Sequence, residues 1–385
     1  MSWYILAFSI TLLCPFLFEG VKQNGKSEGI KSLIAIKNLF LRGRESDIEQ
    51  LQSILIFPIQ LASEVYAIYE VRKETTWYVN ASSLGREIHA ETNLTNFLDE
   101  YEYDFKMAVG DIYATGYTYA NYNPFNATPD RDVAKDERIL LAFKCYLKWQ
   151  EDNLDYHVVE KALRLPPFVT MVTLRIHYLQ TEQFQWREWM KFFTSETRSR
   201  LIELEVLRSI KTFGYAEFGY EAENDCVAGA LRLIVTPHLA IVFVISLKEG
   251  DRTCRAPETL LRILEDINFE TIDFKPQRLF VSIPIIKTAG VVYPAKHLNR
   301  LGLYFDRPNM GSISDRFLSM GLVFDPEVRP NLSISKDVPK DIKRFQVERP
   351  FLVAVIQAGN KLPLVLGLIQ RPIASINFRD KSTSL

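Results

Sequence analysis

The sequence lacks the patterns that mark the most common catalytic and metal sites. None of the motifs H-E-x-x-H, C-x-x-C, G-x-G-x-x-G and G-x-S-x-G, and no phosphate-binding loop, occurs in its 385 residues. Its five histidines are scattered, and no spacing between them would hold a metal ion. We therefore expect no enzyme active site, no metal and no cofactor.

Long runs of charge of one sign are also missing. The 46 lysines and arginines nearly balance the 47 aspartates and glutamates, which leaves a net charge of −1. A nucleic-acid-binding protein would carry a basic patch or stripe, so we expect no nucleic-acid partner. With 47% hydrophobic residues, the chain has the composition of a globular protein with a large core.

One long hydrophobic run lies at the N-terminus. Residues 1–20 carry no charge before Glu19 and are almost wholly apolar from Trp3 to Phe18. This pattern predicts a secretory signal segment. A membrane anchor is the alternative, but the run is shorter than the roughly 20 residues of an average span, and Pro15 interrupts it. We expect a secreted, extracellular protein that has no membrane attachment after the signal is removed.

Cysteine is scarce, with four residues in the chain. Cys14 falls in the predicted signal segment, which leaves Cys145, Cys226 and Cys254 in the mature protein. An odd number of cysteines cannot all pair within one chain. Either Cys226 and Cys254 form one disulfide, or all three are buried thiols.

Four N-x-S/T sequences agree with export, although each is a weak signal alone. Pro129 directly follows the third of them and weakens that one. Together they predict a glycosylated surface. The four acceptor residues are Asn80, Asn93, Asn126 and Asn331.

The C-terminal stretch 345–372 carries the clearest fold signal. Phe351–Ile356 and Leu362–Ile369 are apolar runs joined by five turn residues, which is the pattern of two strands in a hairpin. Because the runs are nearly continuous, we expect both faces of the hairpin to be buried. Other layers must then cover it, so the hairpin closes the fold.

Hydrophobic periodicity predicts further elements along the chain. Tyr113, Tyr117 and Tyr119 fall on one face of one predicted strand, where ordinary sheet packing is favoured over an aromatic ligand platform. The predicted helices cover 30–45, the segment after Pro58, 134–163 and 258–267. The predicted strands cover 55–57, 112–120, 169–179, 202–206, 213–215 after a turn, 231–235, 239–245 and 279–287.

The closing hairpin also carries a family resemblance. Arg349-Pro350-Phe351-Leu352, Ile356, Val365-Leu366-Gly367 and Pro372 together resemble the C-terminal signature of the serpins. Ile283-Pro284 and Ile286-Lys287 are similar to a further strand of that family. The resemblance implies an α+β serpin fold with about nine helices on three mixed or antiparallel β-sheets and a closing C-terminal hairpin. After the predicted signal peptide at 1–20, we expect a single serpin-like domain at 21–375 and a tail at 376–385.

The resemblance further implies a protease inhibitor that offers an exposed loop and inserts that loop into its central sheet after cleavage. Insertion needs a hinge of small, unbranched residues, which in the family is a Glu-Glu-Gly followed by alanines and threonine. Residues 311–349 contain no such hinge, and the prolines at 326, 330 and 339 remove backbone donors that an inserted strand needs. Phe57 and Gln60 stand where the family has small serines under the point at which the sheet parts.

The sequence leaves two alternatives for the position of the hinge. Leu301-Gly302-Leu303 and Met320-Gly321-Leu322 both resemble the turn that precedes the last helix of the family. If the first is that turn, Phe317–Phe324 is the strand before the hinge, and the hinge lies at 325–330. If the second is that turn, almost the whole loop is missing.

We therefore expect a secreted, glycosylated, monomeric serpin-fold protein with a degenerate loop, which acts by binding a protein or a ligand. The alternative is inhibition of an extracellular trypsin-like serine protease. The candidate loop residues for cleavage are Lys336, Lys340, Lys343 and Arg344. The chain is also reminiscent of insect accessory-gland serpin-like proteins of seminal fluid.

Overall fold

The computed structural model describes thirteen strands and several helices, and most of these elements contribute to one hydrophobic core. The described residues are 33–44, 53–58, 61–62, 65, 114–119, 168–180, 184–194, 201–221, 226–247, 252–303, 316–328, 338–358 and 363–373. Among them, no helix has the length and apolar character needed to cross a membrane. The signal segment 1–20, the tail 376–385 and the four sequon asparagines lie outside these residues.

The elements follow one another with helices at the start, in the middle and before β10. Residues 33–41 form α1. Further helices are α2 (Arg252–Arg255), α3 (Pro257–Asp266) and α4 (Pro294–Arg300), residues 58, 61, 62 and 65 are also helical, and Phe269–Thr271 form a 3-10 helix. The strands are β1 (Ile54–Ile56), β2 (Ala114–Tyr119), β3 (Phe168–Ile176), β4 (Trp186–Phe193), β5 (Leu201–Glu221), β6 (Cys226–Thr236), β7 (Leu239–Ser246), β8 (Lys275–Pro284), β9 (Ile286–Val292), β10 (Arg316–Phe324), β11 (Lys343–Gln346), β12 (Phe351–Gln357) and β13 (Pro363–Ile369).

The described strands form two sheets. The larger has the order β1-β13-β12-β7-β6-β5-β8-β11, with β4 also paired to β5, and the smaller has the order β2-β3-β10-β9. The predicted α+β class is confirmed. Three sheets were expected, and the described strands form two because β5 runs through both halves of the larger sheet and joins them.

The predicted closing hairpin is confirmed as β12 and β13. The two strands pair in antiparallel fashion from Phe351 opposite Ile369, and β7 pairs with the other side of β12. Both faces are buried, as the continuous apolar runs predict. Phe351 is fully buried and packs against the rings of Phe243 and Phe192. The hairpin therefore lies inside the larger sheet, where other elements cover it.

One predicted break in the chain is wrong. The strands predicted at 202–206 and 213–215 were separated by a turn, whereas β5 is one strand of 21 residues. Its neighbours change along its length, with β4 at its start, β8 in the middle and β6 at its end. Because each part has its own partner strand, the backbone stays extended through the residues where local sequence indicates a turn.

Helix α3 is the best-defined helix and confirms the prediction for 258–267. It begins with Pro257 at a position where the missing N–H is not needed, and it buries one apolar face. At its C-terminal end the Lys37 side chain of α1 donates hydrogen bonds to the carbonyl oxygens of Leu264 and Glu265. These carbonyls have no partner within a helix, so Lys37 joins α1 to the end of α3.

The buried amine of Lys37 makes stability depend on alkaline pH. Burial lowers the pKa of Lys37 from 10.5 to about 8, although Asp266 and Glu265 act in the opposite direction. Between these two pH values the unfolded chain binds more protons than the folded chain, so Lys37 makes folding more favourable as the pH rises. Relative to the Lys37→Met variant, we expect the free energy of unfolding of the wild type to rise by about 2 kcal/mol from pH 7.5 to 9.5.

Urea denaturation at both pH values measures this difference. Lys296→Met is the matched control because Lys296 is an exposed lysine on α4. Its unfolding energy should keep a constant offset from the wild type across the same pH range. An equally constant offset for Lys37→Met would contradict the prediction.

Candidate functional site

The candidate site is the junction between β3 and β10, together with the chain that leaves β10. The two strands run parallel and pair directly over nine residue pairs, from Arg316 opposite Phe168 to Phe324 opposite Ile176. A loop strand that entered this sheet between them would have to separate all of these pairs. If the loop inserts as the serpin resemblance implies, the new strand would enter at this junction.

β10 also decides between the two hinge positions. Met320, Gly321 and Leu322 lie within β10 and pair with β9, so they do not form the turn before a last helix. Residues 301–303 form that turn, with Gly302 at a φ of 73°, a value that favours glycine. The second alternative is wrong, and the segment that follows the strand begins at Asp325.

Asp325 is held at the end of β10 by two cations. Its carboxylate lies 2.9 Å from Arg187 Nη2 of β4 and 3.1 Å from Lys287 Nζ of β9. Arg187 also donates to the carbonyl oxygen of Pro326 at 3.0 Å and pairs with Glu205 of β5. We call Asp325, Arg187 and Lys287 the hinge clamp, because they tie the first residue after β10 to β4 and β9.

Backbone contacts hold the same segment against the extension of β3. The N–H groups of Asp325 and Glu327 donate to the carbonyl oxygens of Ile176 and His177, at 3.1 and 2.9 Å. Residues 325–328 thus continue alongside β3. The Nδ1 atom of His177 lies 3.4 Å from the carbonyl oxygen of Asp325.

The residue beneath the sheet is large. Phe57, at a place where the serpin resemblance implies a small serine, is fully buried, and its N–H lies 3.2 Å from Met320 Sδ of β10. The buried Phe57 is therefore part of the core next to β10. Gln60, the second replacement, lies outside the described residues.

The far end of the loop is anchored on the larger sheet. Residues 339–342 form a turn in which Lys340 is exposed, and β11 then pairs in parallel with β8. Lys343 forms an ion pair with Glu217 and lies over the ring of Tyr215 at 4.8 Å. The hydrogen bond from Lys343, followed by the one from Tyr215, lowers the pKa of Glu217 and keeps it ionised.

The four predicted cleavage residues therefore have different environments. Lys340 is exposed in a turn, whereas Lys343 and Arg344 belong to β11, and Arg344 lies 6.0 Å from the ring of Phe280. All three side chains are exposed, but only Lys340 lies outside a paired strand. Lys336 lies outside the described residues.

The sulfur atoms of Cys226 and Cys254 are joined as a disulfide, with 5.6 Å between the Cα atoms. The bond connects the first residue of β6 to α2. This is the first of the two arrangements that the sequence left open. Cys145 lies outside the described residues, and within them no group of three metal-ligating side chains occurs.

Sequence comparison does not place the chain in a known family, because no family model matches it and no curated protein matches it. Structural comparison does identify the fold. The chain is similar to native protease nexin-1 with heparin, with 15% identity, a TM-score of 0.60, and coverage of 90% of this chain and 100% of that one. It is equally similar to a tumour-suppressing serpin, with 15% identity, a TM-score of 0.60, and coverage of 90% and 99%.

This chain has the serpin fold. Mouse protein Z-dependent protease inhibitor gives the same result, with 12% identity, a TM-score of 0.56, and coverage of 90% of this chain and 99% of that one. In the serpin fold, the hinge clamp stands where the implied reactive loop leaves the smaller sheet. The sequence did not predict the clamp, since Arg187 and Asp325 are 138 residues apart and no local pattern links them.

Proposed function

We propose that this chain is a secreted, glycosylated serpin-fold protein that acts by binding another protein or a ligand, and that its loop does not insert into the sheet. The observation that carries the proposal is the hinge clamp together with Pro326 and Pro330. The same proposal includes a signal at residues 1–20, one domain at 21–375, a tail at 376–385, a monomeric state and the absence of enzymatic activity. A role in seminal fluid stays a prediction.

Backbone hydrogen bonding opposes insertion. A strand between β3 and β10 would begin directly after Phe324 and would have a partner on both sides, so that each of its N–H groups would donate to one neighbour. Pro326 and Pro330 have no N–H, and each would leave a carbonyl of β3 or β10 without a donor. A buried carbonyl without a donor costs about 1–3 kcal/mol.

The hinge clamp opposes the first step. To turn back into the sheet, Asp325 must leave Arg187 and Lys287, and the N–H groups of Asp325 and Glu327 must leave β3. The clamp side chains are between one fifth and about two fifths exposed, so solvent screens them only in part. The chain is therefore fixed at the residue that insertion would have to move first.

The experiment combines the protein, in excess, with a panel of trypsin-like and chymotrypsin-like proteases. We expect no SDS-resistant complex, full residual protease activity, and the same unfolding temperature for intact and loop-cleaved protein. An SDS-resistant complex with any of these enzymes would refute the proposal. The triple variant Asp325→Ala, Pro326→Ala, Pro330→Ala is the matched comparison, because it removes the clamp and both prolines and should unfold at a higher temperature once cleaved.

Reversible inhibition is the second candidate function, and the exposed turn at Lys340 favours it. Protease nexin-1 and protein Z-dependent protease inhibitor are named for proteases, which gives a partner class to test. This candidate would be supported if residual protease activity falls with added protein and no SDS-resistant complex forms. The fall should also require Lys340. The Lys340→Ala variant is the control.

The secretory part of the proposal has its own test. Animal cells that express the full chain should release it into the medium, with a mass that falls after treatment with an N-glycosidase. Retention of the chain in the cells, or a mass that the enzyme leaves unchanged, would contradict it.

A further inference from the structure

A cavity of about 950 Å³ lies between β5, α3 and the beginnings of β8 and β11, away from the hinge clamp. Six consecutive residues of β5, Tyr215–Tyr220, line it. Side chains of a strand alternate between its two faces, so a cavity over one face would be lined by every second residue. The unbroken run shows that the cavity follows the edge of β5.

The edge of β5 along this cavity has no partner strand within the part of the chain that the structure describes. β8 pairs with β5 only as far as Tyr215, opposite Lys275, while β6 pairs with the opposite edge from Gly214 to Glu221. An edge strand presents the N–H and C=O groups of every second residue outward. Residues 216–219 therefore offer backbone donors and acceptors to the cavity.

The lining of the cavity suits a segment of mixed character. Its inner part is apolar, with Phe218 of β5 half-buried and Ile263 and Ile272 buried. Its rim carries equal numbers of both charges: Arg262, Lys275 and Lys343 against Glu217, Asp266 and Asp273. A small ion of either sign would meet like charges on this rim, whereas an extended peptide with apolar and oppositely charged side chains complements all of it.

Gly219 lies at the end of this edge, next to the register shift between Gly219 and Glu221 in the pairing of β5 with β6. A Cβ atom at Gly219 would come no closer than 3.8 Å to another atom, the carbonyl oxygen of Cys226. Glycine within a strand often marks a bulge or a place where another backbone approaches closely. Gly219 is exposed and is one of the residues that line the cavity, so its missing side chain leaves room there.

We propose that this cavity binds an extended peptide of a partner protein, which adds as a strand to the free edge of β5. The inference rests on the proposed binding function and names its kind of partner. Strand addition gives affinity through main-chain hydrogen bonds and selectivity through pockets for alternate side chains. The volume of the cavity lies within the range of about 300–1,000 Å³ that is typical of ligand sites.

The site also touches the segment that follows the loop. Lys343, the first residue of β11, lines the cavity and pairs with Glu217 on the edge of β5. Tyr215 donates a hydrogen bond to the same carboxylate at 2.6 Å, and burial raises the pKa of Tyr215, so this hydroxyl stays protonated. A peptide bound here therefore contacts the anchor of the loop without using the hinge clamp.

The test uses the full protein and a synthetic heptapeptide, acetyl-Val-Lys-Val-Glu-Val-Lys-Val-amide. Two further forms carry N-methyl groups on alternate residues, so that one or the other edge of the peptide cannot donate. We expect the unmodified peptide and one methylated form to bind alike and the other form to bind at least tenfold more weakly. Equal binding of both methylated forms, or no binding of the unmodified peptide, overturns the proposal.

Two variants locate the site. The Gly219→Leu variant adds a side chain to the lining of the cavity. It should weaken peptide binding about tenfold and leave the unfolding temperature unchanged. Val227→Leu is the matched control. Val227 lies on β6 directly opposite Gly219 and is not among the residues that line the cavity. Equal binding by Gly219→Leu and the wild type overturns the proposal.

Hydrogen exchange of the free protein tests whether the edge is open. Fast exchange at the outward amides of 216–219 that the peptide slows would support the proposal. Slow exchange before peptide is added would show that the chain covers this edge itself, and it would overturn the proposal. These results are separate from the protease experiment. A trapped protease would refute the proposed function and leave peptide binding standing, whereas absent peptide binding would leave the non-trapping function standing.

Discussion

Replacement of Phe351 by alanine is expected to lower the free energy of unfolding by about 4 kcal/mol. Phe351 begins β12, is fully buried, and lies 6.0 Å from the ring of Phe243 and 6.4 Å from that of Phe192. Its removal would lose the burial of the ring and both aromatic contacts, and it would leave a cavity between β7 and β12 that fixed strands cannot close. Urea denaturation of the purified variant measures the loss.

Trp189→Ala is the matched control for this prediction. Trp189 lies on β4 with 69% of its surface exposed, so its truncation removes a larger aromatic side chain from water and not from the core. We expect that variant to lose less than about 1 kcal/mol. Similar losses for the two variants would show that the closing hairpin is not part of the main core.

Removal of the disulfide is expected to cost about 3.5 kcal/mol, by the chain-entropy relation for a loop of this size. Cys226 and Cys254 are 28 residues apart and both are buried. Without the bond, the unfolded chain gains freedom, while the native contacts of β6 and α2 remain. The double variant Cys226→Ala, Cys254→Ala, which adds no buried polar group, should show this loss in urea denaturation.

The wild type in the presence of a reducing agent gives the independent measurement. Its midpoint should move to that of the double variant, and the variant should not respond to the reducing agent. If the untreated wild type shows two free thiols at these positions, both cysteines are buried thiols and the predicted loss does not apply.

The two loop ends are fixed by different means, and this bears on function. At the start, the hinge clamp and the contacts to β3 hold Asp325 on the smaller sheet. At the end, Lys343 and β11 hold the chain on the larger sheet. Cleavage would release the end at β11, so the proposed absence of insertion rests on the hinge clamp, Pro326 and Pro330.

Local sequence predicts elements well where one kind of residue dominates. The continuous apolar runs of β12 and β13 predict a buried hairpin because only a fully covered strand can carry apolar side chains on both faces. Helix α3 is predicted by the periodicity of its buried residues and by its initial proline. These signals lie within a few residues of one another, so no tertiary information is needed to read them.

Local sequence fails where distant partners decide the conformation. The turn predicted within β5 is absent because β4, β8 and β6 each pair with a different part of that strand. The turn assigned to Met320-Gly321-Leu322 was equally plausible in sequence, but pairing with β3 and β9 makes it strand. In both cases hydrogen bonds to distant residues outweigh the local preference.

By itself, the sequence determined the closing hairpin, the fold class, the missing hinge residues and the prolines after β10. Only the tertiary structure decided that β3 and β10 pair directly, that Asp325 lies between Arg187 and Lys287, and that the edge of β5 along a cavity has no partner strand among the described residues. The reason is physical. Side-chain periodicity records which face of an element is buried, whereas the pairing of strands and charges more than a hundred residues apart depends on how all the elements pack together.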